Sequence, residues 1–254
     1  MYKIMIIIQM KFRKEYDSIG KINVPNDKYW GASTERSKKF FDIGEVYVQK
    51  ILIRSIAIIK KAAAIVHRKE KQIKSHIAMS IIKASNEVIS GKLDDNFPLK
   101  VWQTGSGTQT NMNLNEVISN RAHILLGKKL GEGEKLIHPN DDCNMSQSSN
   151  DTFPTAMNIA SIVKIKRVTI PGIEELIKSL IQKSNEFKNI IKIGRTHMMD
   201  ATPVTLGQEF SAYAAQLDYG LSSLKNSLDH LSEIALGLSL IHISEPTRQA
   251  EMSY

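Results

Sequence analysis

Three polar stretches carry the residue types that could do chemistry. The first, residues 138–157, reads HPNDDCNMSQSSNDTFPTAM. Asn, Asp, Ser, Gln, Thr and His follow one another there with almost no large aliphatic side chain, so the segment offers hydrogen bonds to a ligand. Pro154 then precedes an apolar pattern at Met157, Ile159, Ala160, Ile162 and Val163. Proline suits a first helical turn, where its missing N–H costs nothing. That predicts a helix with Ser148, Ser149, Asn150 and Asp151 just before its N-terminus. Free backbone N–H groups and the positive end of the helix dipole gather at such a point and attract an anion. Composition alone fits equally a polar surface loop with an ordinary cap.

The second stretch, residues 101–115, reads VWQTGSGTQTNMNLN. Glycines let backbone approach a ligand closely, and the hydroxyls of Ser106 and Thr108 can donate to a carboxylate or phosphate. It is not a phosphate loop of the Walker type, because no Lys-Ser/Thr follows. Leu114, Val117, Ile118, Ala122 and Leu125 come next at helical spacing and Gly127 ends them, so here too a polar loop precedes a helix. The third stretch, residues 193–208, is IGRTHMMDATPVTLGQ, with Arg195, Thr196, His197 and Asp200 close together. A lone histidine is more often structural than catalytic. This one lies in a turn between two helices, and connecting segments carry function disproportionately.

The elements that must position these stretches read as helices. One spans about residues 46–67, with Ile51, Ile56, Ile59, Ala63 and Val66 near one face, and a second about 72–89, stopping at Gly91. Residues 22–41 read as loop, with turn chemistry at Val24-Pro25-Asn26-Asp27. A helix follows Pro154 to about Val168, Pro171-Gly172 interrupts it, and another runs from about Ile173 to Phe187. Then Phe210, Leu217, Leu224 and Leu231 repeat at seven, with Ala214, Leu221 and Leu228 between them. That is an a/d seam over three heptads, suited to a bundle or coiled coil. No stretch shows convincing strand alternation, so the expected class is all-α.

The chain has 254 residues, 42% hydrophobic and 24% charged, which is globular composition with room for one or two domains. The net charge is +8, but the lysines are scattered and no basic patch interleaved with aromatics appears, so nucleic acid is not an expected partner. A positive field would also attract a small dianion. The single cysteine, Cys143, rules out a disulfide within the chain and fits a reducing, cytoplasmic compartment. The apolar run Ile4 to Ile8 is too short to span a bilayer, and no membrane association is expected. Met10 reads as the true start, with residues 1–9 as upstream translation. Beyond Gly237 the register is lost: LSLIHISEPTRQAEMSY (238–254) resembles a translated sequencing adapter and reads as foreign.

TGSGTQTNMNLNEV (104–117), HPNDDCNMSQSSNDTFPTAM (138–157) and GRTHMMDATPVTLGQEF (194–210) together resemble the class II fumarate hydratases of the fumarase/aspartase superfamily. IGKINVPNDKYWGASTERS (19–37) and the run at 87–108 fit as well, so the resemblance covers about residues 12–237. Aspartases usually carry Gln where this chain has His197, and Ser-Thr-Asn where it has Ser148-Ser149-Asn150.

The resemblance implies a hydro-lyase that interconverts (S)-malate and fumarate by acid/base chemistry through an aci-carboxylate. Proton removal beside a carboxylate loads that carboxylate with a second charge, which the enzyme must bind better than its substrate. By resemblance, Ser106, Gly107, Thr108, Ser148, Ser149, Asn150 and Thr196 bind the dicarboxylate, and His197 exchanges protons with the water added or lost. His138, Pro139, Asn140 and Asp141 form a second, non-catalytic dicarboxylate site; Lys135 stands there where the family usually has Arg, and cannot make a planar bidentate clamp. No cofactor is implied, and no metal: His138, Asp141, Asp142 and Cys143 do not form a known ligand spacing. The implied fold is nearly all helix: an N-terminal domain (10–145), then the first part of a central long-helix bundle (146–237), cut off before the loop bearing the family's catalytic base. The implied assembly is a homotetramer, with the Leu217–Leu231 seam facing later helices of the same domain and the same helices of other subunits. Two other readings stand beside this one, an inert helical association fragment for the chain as it is, and an aspartate ammonia-lyase.

Overall fold

The computed structural model describes residues 11–237. The expectations for residues 1–9 and 238–254 lie outside the described residues. The chain forms two compact units, one of residues 11–157 with 235–237, the other of residues 158–234.

The first unit opens with strands, where no strand was expected. β1 (Phe12–Asp17) pairs antiparallel with β2 (Gly20–Pro25), from Phe12 opposite Pro25 to Asp17 opposite Gly20. Asp17 Oδ1 accepts from the Ile19 and Gly20 amides at 3.0 and 3.1 Å and closes the turn. The alternation is hidden because the inward positions of β1 are Arg13 and Glu15, both buried, while Phe12 and Tyr16 point outward. Arg13 is fully engaged: it donates to Glu15 and to the carbonyls of Pro25, Lys28 and Trp30. Buried charge on an inward face is tolerated on such terms.

Part of the expected loop at 22–41 is helical instead. α1 (Ala32–Phe40) has no side-chain cap of its own. Glu116 supplies one from afar, its carboxylate accepting from the Gly31, Ser33 and Thr34 amides and the Thr34 hydroxyl. A local reading cannot see a cap borrowed from so far along the chain.

α2 (Lys50–Lys69) and α3 (Ser75–Ile89) lie within a few residues of their predicted spans. They pack Ile53, Ile56, Ala57 and Ile59 with Ala78, Ile81, Ala84 and Val88, all buried. α4 (Thr108–Leu125) runs through the middle and is buried on most sides. Beside Leu114, Val117 and Ile118 it encloses Asn111, Asn113, Asn120 and Ser119. Their side chains tie loops to the helix: Asn113 donates to Asn96 O, Asn120 to Tyr29 O and Ser119 to Ile137 O.

α5 (Ser149–Lys164) starts five residues before Pro154, not at it. It is not interrupted at Pro171-Gly172 either. A π turn at Ile165–Thr169 leads straight into α6 (Ile170–Glu186). Proline lacks an N–H and crowds the carbonyl four residues back. A widened π turn accommodates both defects without ending the rod.

In the second unit α6 is joined to α7 (Leu206–Ser232) by a second unexpected hairpin, β3 (Ile191–Thr196) with β4 (Met199–Thr205). Thr205 caps α7 reciprocally with Gln208: Thr205 Oγ1 accepts from Gln208 N at 3.0 Å and Gln208 Oε1 accepts from Thr205 N at 2.8 Å. The predicted seam exists, with Gly207, Ala214, Leu221 and Leu228 buried at intervals of seven. Within the described residues it packs against α6. α6 turns Ile173, Ile177, Leu180 and Phe187 towards it, all half-buried, and the Phe187 and Phe210 rings meet edge to face at 5.6 Å. Lys225 and Glu174 pair at 2.8 Å near the other end. A tight hairpin linker folds α7 back along α6, so the two stripes meet within one chain. What stays exposed is the opposite face, with Leu176, Ile181 and Tyr219. Among the described residues, no helix is long and apolar enough to cross a membrane.

Candidate active site

Two helices of the first unit begin at the same place. α4 starts at Thr108, directly after Gly107, and α5 starts at Ser149, directly after Ser148. Thr108 Oγ1 lies 3.0 Å from Ser149 Oγ and 2.9 Å from Ser106 Oγ. Ser106, Thr108 and Asn150 are exposed, and Ser148 and Ser149 half-buried. The result is a chain of three hydroxyls open to solvent, seated on the positive ends of two helices. The first turn of each helix presents amide donors that the helix itself cannot satisfy. A small anion is the kind of ligand such a surface suits.

Each helix end is fixed by its own loop. Ser148 Oγ accepts from the Asn150 amide at 3.2 Å, and Asp151 Oδ1 accepts from the Ser148 amide at 3.3 Å. That reciprocal cap starts α5 early and carries Ser149, Asn150 and Asp151 into the first turn, correcting the expectation that they precede it. Gly107 sits at φ +69°, the left-handed region. A Cβ there would lie 2.3 Å from ring carbons of Phe153 on α5. The missing side chain therefore lets the two helix ends close up. Gly107→Ala should lower the thermal midpoint by roughly 4 °C or more, from backbone strain of about 1–2 kcal/mol plus the clash. Gly105→Ala, where a Cβ meets nothing within 4 Å, is the control and should melt like the unmodified protein. Equal midpoints for the two variants would show that the close approach is not needed.

Lys135, His138, Pro139 and Asn140 line a separate cavity of about 590 Å³, which β1, Ser33, Glu116 and His123 also border. Asp141 is not among its lining residues. Lys135 donates to Glu15 Oε2 at 2.8 Å, and Glu15 Oε1 takes Arg13 at 2.8 Å. Burial raises the Glu15 carboxyl, but Lys135 and Arg13 outweigh it and hold it below the usual range. So Lys135 is already paired with a buried carboxylate, a stronger reason than its shape for a weak clamp. His138 is exposed but engaged by its own loop, its Nδ1 accepting from the Asp141 amide at 3.3 Å and its amide donating to Asp142 at 2.6 Å.

Thr196 and His197 belong to the second unit. His197 and Met198 form the two-residue tip of the β3–β4 hairpin, with φ of +48° and +63°. Both side chains are exposed. Such tips normally take Asn or Gly, because both residues are left-handed.

The family model described as "Lyase" matches residues 20–242, most of the chain. The chain belongs to the lyase family. It is 58% identical over 229 residues to the class II fumarate hydratase of Pasteurella multocida, covering 90% of this chain and 49% of that protein. The mitochondrial fumarate hydratase of Dictyostelium discoideum is 52% identical over 228 residues. Among solved structures, recombinant class II fumarase from Schistosoma mansoni superposes with a TM-score of 0.86 at 44% identity, covering 89% of this chain and 48% of that one. The chain thus spans about half the length of the curated relatives it matches.

Two further residues, Gln103 and Phe153, hold the hydroxyl cluster in place. Gln103 Oε1 accepts from the Thr110 amide and hydroxyl at 3.0 and 2.9 Å, fastening the glycine loop to the first turn of α4. Phe153 forms the wall behind Gly107. Only Gln103 had a visible signal, its place beside the Gly-Ser-Gly-Thr run.

Proposed function

We propose that the complete protein interconverts fumarate and (S)-malate as a hydro-lyase. The observation that carries this is the 3.0 Å approach of Thr108 Oγ1 to Ser149 Oγ at two converging helix N-termini. The identity to proteins named class II fumarate hydratase supports the same reading. In this mechanism Ser106, Thr108, Ser148, Ser149 and Asn150, with the backbone at Gly107, bind the substrate carboxylates, and the family resemblance assigns Thr196 the same role. Their donors are fixed in advance by caps and close packing. They gain most when the proton leaves the neighbouring carbon and the carboxylate becomes doubly charged, which is where stabilisation accelerates the reaction. His197 handles the proton of the water added or lost. The cavity at His138, Pro139 and Asn140 is a second dicarboxylate site, to which the family resemblance also assigns Asp141, with Lys135 weakened by Glu15. The exposed Leu176 and Ile181 face supports assembly into a homo-oligomer, which by the family resemblance is a tetramer working in the cytoplasm.

Because the chain spans about half of its relatives, the assay belongs to the complete protein. Given fumarate with and without ammonium, it should form malate in both cases. Aspartate formation exceeding malate formation would overturn the proposal in favour of an ammonia-lyase.

A further inference from the structure

The side chain of Lys60, on α2, is enclosed, with 1% of the residue exposed. Its Nζ donates to Asn144 Oδ1 at 2.7 Å. The same oxygen accepts from Asn111 Nδ2 of α4 at 3.0 Å. Asn144 Nδ2 donates onward to Gln147 O at 3.0 Å, and Gln147 Nε2 returns to the carbonyls of Cys143 and Met145 at 3.3 and 3.2 Å. The loop thus folds around the Asn144 amide, and its next residue is Ser148, the cap of α5. The ionisable groups facing Lys60 are Cys143 and Asp151. Burial pushes the Cys143 thiol up to about 12, so it stays neutral. Asp151 lies in the first turn of α5 and holds the Ser148 amide.

An enclosed amine is a poor way to stabilise a core, because the charged form loses its hydration. Residues that break a local rule in this way are expected beside functional sites. Here the broken rule and the candidate site are joined by a continuous set of hydrogen bonds.

We propose that Lys60 is a positioning residue. Through Asn144, its ammonium holds residues 144–150 in the conformation that presents Ser148, Ser149 and Asn150 to the substrate carboxylate. The inference rests on the dicarboxylate reading above. Burial lowers the Lys60 amine to about 7, so the charge that strengthens its bond to Asn144 is lost as pH rises through neutrality. A charge-assisted hydrogen bond is roughly twice as strong as a neutral one.

The test is backbone amide exchange of residues 144–150 in the complete enzyme, expressed as protection factors across neutrality. In the unmodified protein protection should fall about tenfold with a midpoint near 7. Lys60→Met should be weakly protected throughout, and Lys60→Arg, charged at every pH used, should lose the midpoint and keep the protection. Across the same midpoint kcat/KM for fumarate should fall about tenfold further in the unmodified protein than in Lys60→Arg, which shares every other pH effect. Loop protection independent of pH in the unmodified protein would overturn the proposal, and so would the same midpoint persisting in Lys60→Met. Exchange needs no turnover. An enzyme inert towards fumarate would therefore sink the dicarboxylate reading, while exchange still decides the role of Lys60.

Discussion

His197→Asn in the complete enzyme lowers kcat by about 10²–10⁴, the usual contribution of a positioned acid or base. The residue occupies a left-handed position at φ +48°, next to Met198 at +63°. Two consecutive non-glycine residues in that region store strain, and strain of this kind concentrates at functional sites. Asn is the right replacement, because it tolerates the left-handed conformation and favours such tips. The turn survives in the variant and the imidazole alone is removed. His138→Asn is the comparison. Its ring is occupied by the Asp141 amide and it borders a separate cavity, so kcat should fall by less than about tenfold. Steady-state fumarate hydration with both variants checks the pair. Equal losses would mean that the two sites have been ranked wrongly.

The features that the sequence made legible are local ones. The a/d repeat of α7 and the faces of α2 and α3 follow from spacing alone. The polar loops before α4 and α5 follow from cap and glycine chemistry within a few residues. Illegible features depend on contacts made elsewhere. β1 hid because its inward residues, Arg13 and Glu15, are satisfied by carbonyls up to Trp30 and by Lys135. β3 and β4 hid because their residues are exposed or half-buried, so no alternation of polarity was required. α1 hid because its cap is Glu116. The Thr108–Ser149 approach spans 41 residues, and its enabling feature, the Phe153 ring against a bare Gly107, has no signature in either loop. Lys60 was illegible for a similar reason: on a lysine-rich helix nothing marks which amine will be enclosed.

Lys60 also makes a prediction about stability whose sign is fixed by linkage. Its folded value is about 7, against an ordinary value of 10.5. Between those values the unfolded chain binds more protons than the folded one, so stability rises with pH across that window. Below about 7 the full cost of the buried charge is present. A shift of that size corresponds to on the order of 5 kcal/mol. Lys60→Met keeps the volume and removes the charge, and replacing a buried charge by a well-packed apolar group is often stabilising. Against this stands the lost bond to Asn144, worth about 1–3 kcal/mol to a charged donor. Asn144 Oδ1 keeps its second donor, Asn111, and the attraction between Lys60 and the buried Asp151 is already contained in the lowered value of the amine. At pH about 6 Lys60→Met should therefore unfold at higher denaturant than the unmodified protein. Above about pH 10.5 the advantage should vanish or reverse, since the neutral amine then costs little and still donates. Denaturant midpoints of both proteins at the two pH values give the comparison, in which titrating groups that do not face Lys60 cancel. A variant less stable at pH about 6 would show that the fold itself needs the charge. A variant that is more stable and yet has a loosened 144–150 loop is the signature of a residue retained for function at the expense of stability.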